Sequence, residues 1–260
     1  MADTTNFGAL LESAVNEPGK IHAAYTAFHN YSLGNQLLAM FQCAAREIPI
    51  GPIATFKGWQ EKGRYVKRGE KAIELCMPVT CKREETTETG ETDTATFTRF
   101  VFRRNWFVLS QTDGAEYQPA EVEDWSKDRA LPALEITETP FDLADGNCQG
   151  FARQRSVAVS PVAALPFKTL IHELAHVVLG HTAEGEMSDS DRTPRDIREL
   201  EAECVAMLVC AALNQPGVEY SRGYIQHWYQ GQTVPEASAR KILKTADTIL
   251  KAGKPTTKEP

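Results

Sequence analysis

The chain has 260 residues, 42% of them hydrophobic and 24% charged, with a net charge of −7. This is an ordinary globular composition with enough length for one large or two modest domains, and no run approaches the length of a membrane span. Met1-Ala2-Asp3-Thr4-Thr5 lacks the basic-then-apolar pattern of an export signal, and the six cysteines form no C-x-x-C or framework spacing, so reduced thiols in a cytoplasmic protein are expected.

The charge is unevenly distributed. Residues 1–109 carry 13 Lys/Arg against 12 Asp/Glu, whereas residues 110–260 carry 15 against 23. The N-terminal half therefore holds the basic residues free of net acid, and the C-terminal half holds the excess carboxylates.

In chain order, residues 6–47 read as three helices. The first opens at Asn6 and ends before Pro18-Gly19. The second runs from about Lys20 to His29, and the third is capped by Ser32 and stopped by Pro49-Ile50-Gly51-Pro52. Tyr65-Val66, Ala72 to Met77 and Phe97 to Leu109 read as strands. Lys82 to Thr96 is rich in Thr and Glu with no apolar pattern, which predicts a long hairpin tip or a loop. Gln111 to Pro132 is polar and turn-rich, and a domain boundary is expected there, giving residues 1–125 and 126–260. Leu134 to Arg155 is expected as helix and loop. Ser156 to Pro161 reads as a short strand; an edge strand there could pair with an extended peptide, and it could equally be only structural. An apolar helix follows, with Pro166 in its first turn and Gly180 at its C-terminal cap. His181 to Thr193 is a polar loop. Thr193 and Pro194 read as the cap and first residue of a further helix, and Pro235 to Leu250 as a closing helix.

The most informative run is His172-Glu173-Leu174-Ala175-His176. It matches H-E-x-x-H, in which two histidines one helical turn apart face one metal ion and the glutamate acts as general base. A lone histidine on an apolar helix is usually a satisfied core residue, but two at this spacing around a glutamate are costly unless something pairs them. A catalytic site needs a third protein ligand. Leu179 and Thr182 occupy the positions where the longer metzincin pattern requires Gly and His, so that arrangement fails. Glu199-Leu200-Glu201-Ala202-Glu203 lies on the next helix. There Glu199 and Glu203 share a face while Glu201 points away, as a solvated acidic residue would. One of the two can bind the ion while the other accepts a ligand histidine's second N–H. The spacing resembles the gluzincin arrangement, in which the first acid is the ligand, and that resemblance implies Glu199 as ligand and Glu203 behind it, with the reverse assignment open. Glu173 is the expected base. Tyr224 and His227, with Tyr229 beside them, are candidates to stabilise an oxyanion. Zn2+ is the expected ion, and other divalent ions suit the same donors.

In the N-terminal half, basic and aromatic residues alternate: Lys57, Trp59, Lys62, Arg64, Tyr65, Lys67, Arg68 and Lys71, then Arg103 and Arg104. Cations that track phosphates and aromatic faces that stack on bases are the means by which single-stranded nucleic acid is held.

Taken together, Tyr31-Ser32-Leu33-Gly34-Asn35-Gln36, Gln42, Ala54 to Trp59 and Gly63 to Ala72 resemble the N-terminal domain of the ArdC antirestriction family. Asp145 to Phe151, Thr169 to His176, Glu199 to Glu203 and Tyr224 to Trp228 resemble its second half. The resemblance implies an α+β chain. Its N-terminal part would be a mixed helix and antiparallel-sheet domain that binds single-stranded DNA, followed by a zincin-like, mainly helical metallopeptidase domain. It implies protection of incoming plasmid DNA during conjugation, metal ligands at His172, His176 and Glu199, and the base at Glu173. The acidic Lys82 to Thr96 segment departs from the family's expected DNA face. The competing expectation is a regulatory zinc peptidase similar to the ImmA/IrrE group, with a protein or peptide substrate instead of DNA.

Overall fold

The structure is a computed structural model, and it describes residues 6–86, 92–143, 148–182, 194–229 and 234–255. Two compact units emerge. One comprises residues 38–119; the other comprises residues 1–37 together with 120–260. The first two helices and the start of the third thus group with residues 120–260.

In the larger unit, α1 (Phe7–Asn16) is capped by Asn6, whose side chain accepts from Ala9 N at 3.2 Å. Pro18 opens α2 (Pro18–Phe28) instead of merely ending α1, because its fixed φ and missing N–H suit a first helical position. Both helices bury apolar faces (Leu11, Ala14, Ile21, Tyr25, Phe28), and His22 Nδ1 lies 2.8 Å from Ala212 O. After the short α5 (Lys127–Ala133) come three strands: β6 (Thr137–Glu138), β7 (Gly150–Arg153) and β8 (Ser156–Val159). Strands, not a helix, therefore follow Leu134. The order is β6-β8-β7, with β6 parallel and β7 antiparallel to β8. Ser156–Val159 is thus the central strand, paired on both sides, and cannot be an open edge. Among the described residues the edges of this sheet are β6 and β7.

Four helices complete this unit: α6 (Pro166–Val178), α7 (Arg195–Ala212), α8 (Val218–Tyr229) and α9 (Glu236–Ala252). Pro194 occupies the cap position of α7 rather than its first helical one, and Asp196 lies in the first turn without a capping bond; Thr193 lies outside the described residues. From Leu200 to Ala212 every residue of α7 is buried, since α2, α6, α8 and α9 all pack against it. A helix covered all round must be apolar or have its polar groups paired. That requirement falls on Glu201 and Glu203.

The partition between units falls inside α3 (Leu33–Ala45). In the smaller unit, α4 (Phe56–Glu61) is capped by Thr55, whose hydroxyl accepts from Gly58 N at 3.1 Å. The antiparallel sheet β1-β4-β3 is formed by Ile53–Thr55, Thr92–Val108 and Ile73–Thr86, and β2 (Arg64–Val66) pairs with β5 (Thr112–Gly114). The β3–β4 ladder continues from Ile73↔Trp106 out to Thr86↔Thr92, so Lys82 to Thr96 is the far end of a two-stranded ribbon; residues 87–91 lie outside the described residues. Gln42 ties α3 to β3 by accepting from Glu74 N at 2.9 Å and donating to Glu74 O at 2.7 Å. Ile73, Leu75, Trp106, Val108 and Trp59 form the core.

Candidate metal centre

Pro166 starts α6 and fixes its phase, so that Leu170, Ile171, Leu174 and Ala175 face the core while His172 and His176 project, one turn apart, into a cleft of about 660 Å³. Their Nε2 atoms lie 3.2 Å apart. Glu199, in the second turn of α7, brings Oε2 to 3.5 Å from His172 Nε2 and 3.7 Å from His176 Nε2. In a tetrahedral site with bonds of about 2.0–2.1 Å, ligand atoms stand about 3.3 Å from one another. The three donors fit a single divalent ion, and among the described residues they are the one such cluster of His, Cys, Asp or Glu.

Glu203 Oε2 lies 3.0 Å from His172 Nδ1, off the axis of a straight N–H bond, and its Oε1 lies 2.6 Å from Lys168 Nζ. Glu199 therefore meets the two histidines on their Nε2 side and Glu203 meets one of them from behind. Glu173 is buried beside them at the cleft wall, and that burial raises its pKa above the ordinary carboxylate range. Glu199 is held far below that range, chiefly by its contact with His172. Burial alone would raise Glu203, but His172 and Lys168 hold it down at about 2.

Several expectations need correction. Glu201 is not a solvated face residue: it is buried, and its Oε2 lies 3.1 Å from His181 Nε2. Neither Tyr224 nor His227 lines the cleft, and both are exposed on α8. Tyr224 is nevertheless close enough to the site that, besides partial burial, the charges of Glu199 and Glu203 raise its phenol. The side chain of Tyr229 lies outside the described residues. Sequence reasoning misses Lys168, His181 and Gly150. Lys168 precedes His172 by one turn, a spacing that could have flagged it. Gly150 brings β7 against α6: a Cβ there would stand 2.6 Å from Thr169 Cγ2 and 3.2 Å from Glu173 Cγ.

The basic–aromatic residues separate into two groups. Lys57, Lys62, Tyr65, Lys67, Arg68, Lys71, Arg103 and Arg104 are exposed. Trp59 is not a stacking platform: it is 1% exposed, donates from Nε1 to Phe107 O at 2.8 Å and meets Tyr117 edge-on. The donors of Arg64 are taken up by its own fold, at Thr112 Oγ1 (2.8 Å), Thr112 O (3.1 Å) and Ala115 O. Among the described residues of 38–119, the exposed aromatics are instead Phe56, Tyr65, Phe97 and Phe100.

This mixed helix-and-sheet fold has known counterparts. Residues 12–107 match the family of the N-terminal domain of anti-restriction factor ArdC. Two crystal structures of the antirestriction ArdC protein from plasmid R388 share the fold. The metal-free form is 20% identical, with a TM-score of 0.54 over 95% of this chain and 94% of that one. The Mn(II)-bound form is 17% identical, with a TM-score of 0.52 over 98% and 100%. No curated protein matches the chain. The chain is thus ArdC-like in two respects: residues 12–107 match the model of that N-terminal domain, and nearly the whole chain shares the fold of the R388 protein. Among the described residues no helix is long and apolar enough to cross a membrane.

Proposed function

We propose that this chain is an antirestriction protein that binds single-stranded DNA through residues 38–119 and carries a divalent-metal, metallopeptidase-like site at His172, His176 and Glu199, protecting incoming plasmid DNA during conjugation. The observation that carries the reading is the convergence of three metal-donor atoms beside a buried glutamate, in a chain with an ArdC N-terminal domain. The R388 protein of the same fold was crystallised with Mn(II), which supports a divalent ion here; the donor set suits Zn2+ equally.

When bound, such an ion supplies a polarised water of lowered pKa and Lewis-acid assistance to a carbonyl. The chain's own residues do the rest. Glu173, with its carboxyl shifted toward neutrality by burial, takes a proton from the nucleophile and returns it to the leaving group. Glu203, paired with Lys168, stands behind His172. The open edge of β7, along Gly150 to Ala152 in the cleft wall, suits an extended peptide laid antiparallel to it.

Two measurements test the reading on the full chain. Calorimetric titration with Mn(II) and Zn(II) should show one site, lost in Glu199→Ala and only weakened, about 10–100-fold, in Glu203→Ala. Fluorescence anisotropy with single- and double-stranded DNA of equal length should show a preference for the single strand that weakens with salt. If neither strand bound, the DNA role would be lost and the choice would move to a regulatory peptidase with a protein substrate, whose biological effect must vanish in Glu173→Ala.

A further inference from the structure

His181 and Glu201 are buried, at 6% and 2% exposure, yet neither reaches the position on which His172, His176 and Glu199 converge. They lie behind His176, and the end of α6 explains why. Gly180 adopts φ +81°, in the left-handed region, with open space where a Cβ would go. His181 N donates to His176 O at 2.9 Å and Gly180 N to Val177 O at 3.1 Å, the paired bonds of a Schellman motif. In that motif the residue after the glycine commonly makes a side-chain contact with the residue at the start of the last turn. Here those two residues are His181 and His176. Their rings lie 5.2 Å apart at 61°, with the Nδ1 atoms at 3.1 Å. On the far side His181 Nε2 lies 3.1 Å from Glu201 Oε2. Arg198 Nη1 donates to His181 O at 3.4 Å and holds the turn.

The protons on this chain of groups follow from what each can do. A carboxylate only accepts, so His181 Nε2 carries the hydrogen and donates to Glu201. A neutral imidazole has one N–H, so His181 Nδ1 is bare and accepts from His176 Nδ1–H. His176 Nε2 is then bare as well, with its lone pair directed at Glu199 and His172. We propose that His181 and Glu201 are positioning residues that lock His176 in the Nδ1–H tautomer and so make its Nε2 a ready cation ligand. This rests on the reading of His172, His176 and Glu199 as a divalent-cation site. The two ligand histidines are thereby placed differently: His172 stands directly against the Glu203 carboxylate, and His176 meets Glu201 through a second imidazole. Both carboxylates come from α7, Glu203 on the cleft side and Glu201 on the opposite face.

The test uses the full chain and two readouts. Nitrogen-15 NMR of the metal-free protein should show His181 protonated at Nε2 and His176 at Nδ1. Titration with Mn(II) should then show a loss of about 10–100-fold in affinity for His181→Phe, which keeps a ring but no nitrogen, and for Glu201→Gln, which keeps the shape. Melting of the metal-free variants separates this loss from unfolding. A His181 protonated at Nδ1 in the wild type, or unchanged affinity in a folded His181→Phe, overturns the proposal. Because the tautomers are read on the unmutated protein, an unstable variant does not shelter it. A wild type with the stated tautomers that takes up neither Mn(II) nor Zn(II) overturns the metal reading instead.

Discussion

In the unit of residues 38–119, Lys57, Lys62, Lys67, Arg68 and Lys71 stand in solvent around a core of Trp59, Ile73, Leu75, Trp106 and Val108. In the other unit, Glu173, His181, Glu201 and Glu203 are buried, and His172, His176 and Glu199 are half-buried with them. Surface charges need no particular partner and tolerate many arrangements. Buried ones must be matched atom for atom, because an unpaired charge inside costs several kcal/mol. Geometry therefore specifies the second site closely and the first only loosely.

If that difference holds, the largest effect is expected at Trp59, where a residue type suited to stacking on bases is in fact core. Trp59→Ala should destabilise residues 38–119 by about 3–5 kcal/mol, a large part of what a unit of this size has. Denaturant unfolding followed by Tyr and Trp fluorescence measures it. If the variant kept its stability and lost only DNA affinity, Trp59 would be a surface binder after all.

The buried site should respond to pH in a way the exposed cations do not. Burial pulls the pKa of His172 down, but Glu199 and Glu203 more than reverse this and set it at about 9 in the metal-free protein. The unfolded value is about 6.5. A raised folded pKa means stability that is complete below about pH 6.5 and lost as pH rises through about 9, at most about 3 kcal/mol. A divalent ion must displace that proton, so its affinity should climb with pH over the same window. Titration in buffers of different ionisation enthalpy would count the proton released; a flat affinity between pH 6.5 and 9 would falsify the assignment of His172 as a protonated ligand.

A smaller effect is expected at Gly150, where the sheet meets the metal-site helix. The added methyl of Gly150→Ala would stand 2.6 Å from Thr169 Cγ2, 3.0 Å from Ala158 O and 3.2 Å from Glu173 Cγ. Such overpacking costs about 1–3 kcal/mol. The melting temperature should fall while Mn(II) affinity changes little, because the methyl presses on the base and not on the three ligands. An unchanged melting temperature would mean that β7 moves away freely.

The two regions also differ in how legible they are in the sequence. His172, Glu173, His176, Glu199 and Glu203 can be placed because helical period alone decides which side chains share a face. Glu201 is misread by that same rule: it does point away from Glu199, but towards His181, which only the turn at Gly180 brings under the helix. The strand at Ser156 is recognisable, but whether it lies at an edge depends on β6 and β7, which are too short to show a period. In the smaller unit, alternation of basic and aromatic residues cannot tell a Trp that fills a core from a Tyr that faces solvent. Both suit a half-buried surface, and tertiary packing decides between them.

The smallest effects set Tyr65 against its neighbours Lys67 and Arg68. Tyr65 is 56% exposed and Phe100 62%, so unlike Trp59 each can offer a ring face to a base. Tyr65→Ala should leave the unfolding curve unchanged and weaken single-stranded DNA by about 1–3 kcal/mol, with no change in salt dependence, since stacking releases no counterions. Lys67→Glu with Arg68→Glu should do the opposite, lowering the slope of log affinity against log salt by roughly 1 for each phosphate that is no longer neutralised. Lys67 Nζ already donates to Ser110 O at 2.9 Å, so part of its effect should pass through the loop it holds, and Arg68→Glu alone gives the cleaner slope. If both substitutions changed only the slope, the surface would hold DNA by charge alone, and its exposed aromatic residues would have to face some other partner.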